Sequence, residues 1–234
     1  MTSRGTLYLI PTPLNENEAL HPANLSLLRF ACENIENSLL LIEELKPARQ
    51  RWIKWGLSRD FIDKFQVYNE HNQKNDIKNI IIDLKNGKNG YLFSDGGLPS
   101  FCDPGQLLVK ACHSEKIKVT CGVFCNSPLQ ALIMSGFDSK NFYFAGFLPI
   151  KIKEEREVAI DNLSKMKCPI ILMDTPYRLK RLLTELTNHK IFSQKEAFLA
   201  MDLSMQTEEY SIGKISKLSK SDWGKREFIL IINS

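Results

Sequence analysis

Tyr91-Leu-Phe-Ser-Asp-Gly-Gly-Leu-Pro-Ser-Phe-Cys-Asp-Pro-Gly105 is the stretch on which the fold turns. It opens as a short apolar run and closes on a helix start. Asp103 is a good N-cap, Pro104 suits the first helical position, and residues 106–116 continue at helical spacing. Between these elements lie Ser94, Asp95, Gly96 and Gly97, all small or polar. The two glycines let the backbone turn sharply and let a ligand approach it closely. A strand, a tight polar loop and a helix N-terminus make the ligand-binding corner of a parallel α/β sheet. Taken alone, the same residues also read as an ordinary Asp-Gly-Gly turn.

The chain on either side repeats the strand-then-helix rhythm. Residues 6–11 are an apolar strand stopped by Pro11-Thr-Pro13. Residues 22–34 have helical spacing, with Leu25, Leu27, Leu28, Phe30 and Ala31 as the apolar positions. Residues 38–42 form a buried aliphatic strand ending at Glu43-Glu44, where parallel sheets bind ligands. Residues 46–56 set Lys46, Arg49, Arg51 and Lys54 beside Trp52 and Trp55. The simplest account is an amphipathic helix with buried tryptophans and a solvated basic face; an RNA-binding face is the alternative. A helix over 76–86, a strand over 90–94 and a strand over 116–120 complete a βα alternation, which argues for a parallel sheet covered on both faces.

Beyond Cys121 the pattern changes. Asn126 or Ser127 caps a helix that has Pro128 in its first turn. An aromatic run over 142–150 leads through Lys151, Lys153, Glu154, Glu155 and Arg156 into a helix reaching about residue 166. These cations suit either phosphate contact or a solvated helix start. Residues 169–173 are a strand, and Asp174-Thr-Pro176 caps a helix to about 188. Arg178 near its start can hold a carboxylate or phosphate bidentately. Strands over 197–203 and 228–232 follow.

The stretch 91–105 resembles the Ser-Asp-Ala-Gly-Thr-Pro…Asp-Pro-Gly loop of the tetrapyrrole methylase superfamily, whose members bind S-adenosylmethionine (SAM). Its nearest likeness is the branch that 2′-O-methylates a cytidine ribose in small-subunit ribosomal RNA. Leu7-Tyr-Leu-Ile-Pro-Thr-Pro-Leu14, Glu43-Glu44, Tyr68-Asn-Glu-His-Asn72, Phe142-Tyr-Phe-Ala-Gly-Phe-Leu-Pro149 and Asp174-Thr-Pro-Tyr-Arg178 stand in the order of that branch. The resemblance implies a two-domain α/β protein divided into residues 1–124 and 125–234. The first domain would hold a mostly parallel sheet with flanking helices and the second a mixed sheet, with a SAM cleft between them. It implies cofactor contacts at Pro11, Ser94, Asp95, Gly96, Gly97, Leu98, Pro99, Asp103, Pro104, Gly105, Asn126, Ser127, Pro176, Tyr177 and Met201. Lys151, Lys153 and Arg178 would meet the substrate. Glu70, His71 and Glu43, in that order, are the candidates to activate the acceptor hydroxyl. Ribosomal RNA and a second copy of the chain are the implied partners; methylation of a tetrapyrrole or other small molecule, and a catalytically weakened relative that binds RNA or a partner, are the alternatives.

Two positions depart from the resembled pattern. Phe124-Cys-Asn-Ser127 stands where Gly-Pro-Ser-Ser or Gly-Pro-Ser-Ala is usual, and Leu98 stands where threonine is common. Both bear on cofactor affinity and pocket shape.

Composition sets the outer bounds. With 43% hydrophobic and 25% charged residues over 234 positions, the chain builds a substantial core. No apolar run approaches the roughly 20 residues of a membrane helix, and Met-Thr-Ser-Arg-Gly begins no signal peptide, so a cytoplasmic protein with no membrane partner is expected. Six cysteines without a Cys-x-x-Cys pair suggest free, mostly buried thiols rather than zinc or disulfides. A net charge of +4 permits a nucleic-acid partner without requiring one. No P-loop, dinucleotide glycine motif or Ser-His-Asp arrangement is present.

Overall fold

The computed structural model describes residues 4–71, 73–101, 105–124 and 126–233, with side chains omitted at 73–75. The chain divides into two compact units, Met1–Cys125 and Asn126–Ser234. Each is an α/β layer structure around one five-stranded sheet.

In the N-terminal unit, β1 (Thr6–Ile10), β2 (Ser38–Ile42), β3 (Phe65–Val67), β4 (Asn89–Phe93) and β5 (Lys118–Cys121) form an all-parallel sheet in the order β3-β2-β4-β1-β5. Alternation along the strands explains its two cores. Ile10, Leu40, Ile42, Tyr91 and Phe93 face α1 (Pro22–Glu33) and α2 (Leu45–Lys54), which supply Leu28, Ala31, Ala48 and Trp52. Leu7, Leu9, Leu41 and Leu92 face α3 (Gln73–Lys85) and α4 (Gly105–Ser114), which supply Ile80, Leu84, Leu108 and Cys112. The helices after β1 and β2 thus lie on one face and those after β3 and β4 on the other. Because β4 sits between β2 and β1, its outgoing loop diverges from both neighbours. That divergence is the switch point at which open α/β sheets bind ligands, at the carboxyl ends of the strands.

The C-terminal unit contains a mixed sheet ordered β6-β7-β10-β8-β9. Its strands are β6 (Tyr143–Gly146), β7 (Ile170–Asp174), β8 (Glu196–Met201), β9 (Glu209–Lys214) and β10 (Phe228–Ile232). Only β6 and β7 run parallel. One face packs Leu172, Leu199, Met201 and Leu230 against α6 (Lys153–Ser164), α7 (Leu179–Asn188) and α8 (Ile215–Leu218). The other packs Ile171, Phe198, Ala200 and Ile231 against α5 (Ser127–Ser135) through Ala131 and Leu132. Among the described residues no helix is long and apolar enough to cross a membrane.

Several sequence expectations need correction. Phe30, assigned to the apolar stripe of α1, is exposed, whereas Asn24 is buried on that stripe with Leu28 and Ala31. Trp52 and Trp55 are buried as expected, but Arg51 leaves the basic face and is only 6% exposed. Arg156 likewise is 2% exposed and unavailable to a phosphate. The strand expected from residue 116 begins at Lys118, because Lys116 takes a left-handed φ of 55° in the turn that ends α4. Strand β8 stops at Met201, where positive φ at Asp202 breaks the extended chain. Of the four described cysteines, all free, Cys112 alone is buried, and Cys121 is exposed.

Candidate functional site

Five parallel strands end on the same edge of the N-terminal sheet, and their outgoing loops are laced together by hydrogen bonds. Thr12 after β1 and Gly97 after β4 form a two-bond antiparallel bridge, Thr12 N–H to Gly97 O at 2.8 Å and Gly97 N–H to Thr12 O at 3.1 Å. Thr12 Oγ1 donates to Ser94 O at 3.1 Å, and Ser94 Oγ donates to Gly97 O at 3.2 Å. Gly97 meets this geometry at φ 92°, a value that favours glycine. The Pro-Thr-Pro corner and the Asp-Gly-Gly loop are therefore one structure.

Three further side chains tie the loops down. Asn24 Nδ2 donates to Pro11 O at 3.0 Å and Val123 O at 2.8 Å, while Oδ1 accepts from Val123 N–H at 3.0 Å. It joins the loops after β1 and β5. Gly122 is required beside it, since a Cβ there would fall 2.2 Å from Asn24 Oδ1. Arg51, reaching from α2, donates from Nη1 to Pro13 O at 2.8 Å, and its Nη2 lies 3.4 Å from where a Gly96 Cβ would stand. Glu43 Oε2, at the end of β2, accepts the Asp95 N–H at 3.2 Å.

Asp95 stands at the centre of this lattice. Its Oδ1 is buried with no hydrogen-bond partner among the described residues. Burial first, and the Glu44 carboxylate second, raise its pKa; the Glu44 backbone N–H and Arg51 oppose the rise. A buried acceptor lacking a donor, beside a glycine backbone without side chains, suits a ligand that brings its own N–H or O–H groups. SAM carries an ammonium and two ribose hydroxyls, so the donor pattern fits. Leu98 is half-buried and Pro99 is buried, giving the loop an apolar flank.

The remaining candidates are distributed as follows. Asp103 and Pro104 lie outside the described residues, and Gly105 is the first residue of α4. Glu70 and His71 follow β3 on the same edge as Glu43, both are exposed, and His71 Nε2 lies 3.7 Å from Glu70 Oε1. The 68–71 segment is held to β2 by Tyr68 N–H to Ile42 O at 2.7 Å and by Asn69 Nδ2 to Glu43 O at 3.4 Å.

In the C-terminal unit, Asn126 caps α5 by accepting the Leu129 N–H at 3.0 Å, and Ser127 is the first helical residue. Pro176, Tyr177 and Arg178 form a single 3-10 turn before α7, which begins later than the sequence suggested. The Thr175 side chain makes no cap there; instead buried Asp174 Oδ1 accepts from Thr175 N–H at 2.8 Å and Arg178 Nε at 2.6 Å. Met201 is buried at the end of β8. Asp202 and Ser204 after it hold positive φ of 49° and 66°. Arg226 pins this loop through Asp202 Oδ2 at 2.7 Å, Glu209 Oε2 at 2.5 Å and the Thr207 carbonyl. Lys151 and Lys153 are exposed, the latter 3.6 Å from Glu157.

Sequence reasoning missed Asn24, Thr12, Arg51 and Arg156 as organising residues. Only Asn24 left a signal, a polar residue at an apolar position of its helix.

A parallel sheet with a ligand corner at its switch point, followed by a mixed-sheet unit, is a fold this chain shares with solved methyltransferases. Diphthine synthase superposes with a TM-score of 0.71 at 10% identity, covering 98% of this chain and 90% of that one. A uroporphyrin-III C-methyltransferase of Thermus thermophilus complexed with S-adenosylhomocysteine gives a TM-score of 0.57 at 13% identity, covering 98% of each chain. At such identities the likeness concerns the fold. No family model matches this chain. Ribosomal RNA small subunit methyltransferase I of Halalkalibacterium halodurans is 30% identical over 233 residues, covering 98% of this chain and 76% of the relative. The Thermotoga maritima protein of the same name is 30% identical over 213 residues, covering 91% and 90%. The chain belongs to the ribosomal RNA small subunit methyltransferase I family.

Proposed function

We propose that this protein transfers a methyl group from SAM to a ribose 2′-hydroxyl of small-subunit ribosomal RNA. Family membership across nearly the whole chain carries the reading, and Asp95 Oδ1, a buried acceptor with no partner among the described residues, supports the cofactor assignment beside Gly96 and Gly97. SAM supplies an electrophilic sulfonium methyl when bound.

The residues proposed to hold the cofactor in the N-terminal unit are Pro11, Ser94, Asp95, Gly96, Gly97, Leu98 and Pro99, with Gly105 and with Asp103 and Pro104 beyond the described residues. Asp95 would take donors, and Leu98 with Pro99 would exclude water. In the C-terminal unit the family resemblance proposes Asn126, Ser127, Pro176 and Met201 as cofactor contacts. Glu43 works through the loop, because its Oε2 is engaged by the Asp95 N–H at 3.2 Å. Alignment of donor and acceptor can supply up to about 7–11 kcal/mol of such a barrier, so the lattice that fixes residues 11–14 and 94–97 would serve the rate as well as the affinity.

A ribose hydroxyl is a poor nucleophile and benefits from a base. Glu70 and His71, exposed and adjacent, are proposed for that task ahead of Glu43. Lys151, Lys153 and Arg178 are proposed for the RNA. The reading includes a cytoplasmic homodimer, which light scattering on the purified chain tests.

Calorimetric titration with SAM and S-adenosylhomocysteine is the first test. Micromolar binding is expected, with Leu98 and Phe124 tolerated. Absence of binding would sink the methyltransferase reading for the isolated chain. If the Glu70→Ala/His71→Ala double variant kept full turnover, the assignment of the base would be wrong.

A further inference from the structure

We propose that Tyr177, flanked by Lys225 and Arg178, is a stacking platform for an unpaired base of the RNA, rather than the cofactor contact its sequence context implied. The inference rests on the reading that the protein acts on RNA.

Tyr177 is 75% exposed, the most exposed large hydrophobic side chain among the described residues. A single exposed aromatic is unremarkable in itself. This one differs in how it is held. The 3-10 turn Pro176–Arg178 is fixed at three points: proline at its first position, and two bonds to the buried Asp174 carboxylate from Thr175 N–H and Arg178 Nε. Arg156 Nη2 stands 3.9 Å behind that carboxylate. Leu179, Leu182, Leu183 and Leu186 then anchor α7 in the core. The ring is consequently presented outward from a rigid base, which lowers the entropy lost on stacking.

Its surroundings are cationic. Lys225 Nζ lies 5.2 Å from the ring centroid, over one face. Residues 175–181, Thr-Pro-Tyr-Arg-Leu-Lys-Arg, contain three cations and no acid. Asp174, the carboxylate just before this stretch, is buried and paired with Arg178 at 2.6 Å, and Arg181 pairs with Glu185 at 2.8 Å, which leaves Lys180 and Lys225 as the cations for a phosphate. An aromatic face with a lysine beside it is a combination that holds single-stranded nucleic acid, the ring taking a base and the lysine a phosphate. A base inside a duplex cannot reach the ring, so the platform selects unpaired nucleotides.

The test pairs two ligands on the same variants. Fluorescence anisotropy with a short fluorescein-labelled single-stranded RNA, and with a duplex RNA of equal length, reports nucleic-acid binding; calorimetry with SAM reports the cofactor. Tyr177→Ala is expected to weaken single-strand binding about tenfold, within the roughly 5- to 150-fold range of base–aromatic stacking, and to leave duplex and SAM affinity unchanged. Tyr177→Phe keeps the ring and should keep the affinity. Lys225→Ala should lower the slope of log affinity against log salt by about 0.7. Retained SAM binding certifies that each variant is folded. The proposal is overturned if Tyr177→Ala weakens SAM while sparing RNA, or spares both. A wild-type protein that binds neither RNA would overturn the functional reading along with it, whereas RNA binding indifferent to Tyr177 would overturn the platform alone.

Discussion

Replacing Asn24 and Gly122 singly and together measures how firmly the loop lattice is built. Asn24→Ala removes three hydrogen bonds, two to Val123 and one to Pro11. At about 1 kcal/mol each, with more for a buried group left unpaired, the loss should be roughly 2–4 kcal/mol. Water can reach the exposed Val123 but not the buried Pro11, which places the value inside that range rather than above it. Gly122→Ala puts a methyl 2.2 Å from Asn24 Oδ1, so it must expel the carboxamide and break the same bonds. The two changes destroy one interaction, and the double variant should be little worse than either single one. The expected coupling energy is about 2 kcal/mol, near the upper end for contacting residues. Urea unfolding followed by tryptophan fluorescence in a Trp223→Phe background reports Trp52 and Trp55, both packed in the N-terminal unit. Additive losses would refute the argument that Gly122 is glycine because Asn24 occupies its space.

Other outcomes follow from the charged groups. Asp95 has a raised pKa in the folded protein, chiefly through burial, with Glu44 adding to the rise and Arg51 opposing it. The folded state then binds the proton more tightly, so stability falls as pH rises from the ordinary carboxylate range through the folded pKa. Asp95→Asn should therefore gain stability over wild type at neutral pH, and the gain should shrink as pH falls through the folded pKa and vanish below the ordinary carboxylate range near about 4; a gap independent of pH would contradict this. Arg156→Ala removes the buried guanidinium that pairs with Glu185 at 2.6 Å and stands 3.9 Å from Asp174, leaving these carboxylates to the more exposed Arg181 and Arg178; the loss should approach the about 3–5 kcal/mol typical of a broken buried pair, while Glu185→Gln, which keeps a hydrogen-bond acceptor on the partly exposed side, should cost less. Equal losses in denaturant titrations would show that burial of the arginine is not the cause.

The strand ends and the glycine loop were legible because local chemistry sets them. Prolines stop β1, Asp95-Gly-Gly97 turns the chain after β4, and Asn126 caps α5 through its own side chain. Strand β3, three half-buried residues, and β9, an edge strand with exposed Tyr210 and Ile212, carry too little periodic contrast to be read. Arg51 and Arg156 look like surface cations because nothing beside them in sequence says otherwise. Their carbonyl and carboxylate partners, Pro13, Glu185 and Asp174, lie far along the chain. Burial of a charge is decided by such partners, and those appear only once the chain is folded.

The methyl group of SAM is proposed to reach a ribose oxygen of small-subunit ribosomal RNA. Incubating the purified protein with SAM and either small-subunit RNA or assembled small subunits lacking the modification, then resolving the digested nucleosides by mass spectrometry, tests it directly. A 2′-O-methylated nucleoside, cytidine by resemblance, is expected, and should be lost in Asp95→Ala. Methylation on a base, or SAM binding with no methyl transferred to either substrate, would contradict it.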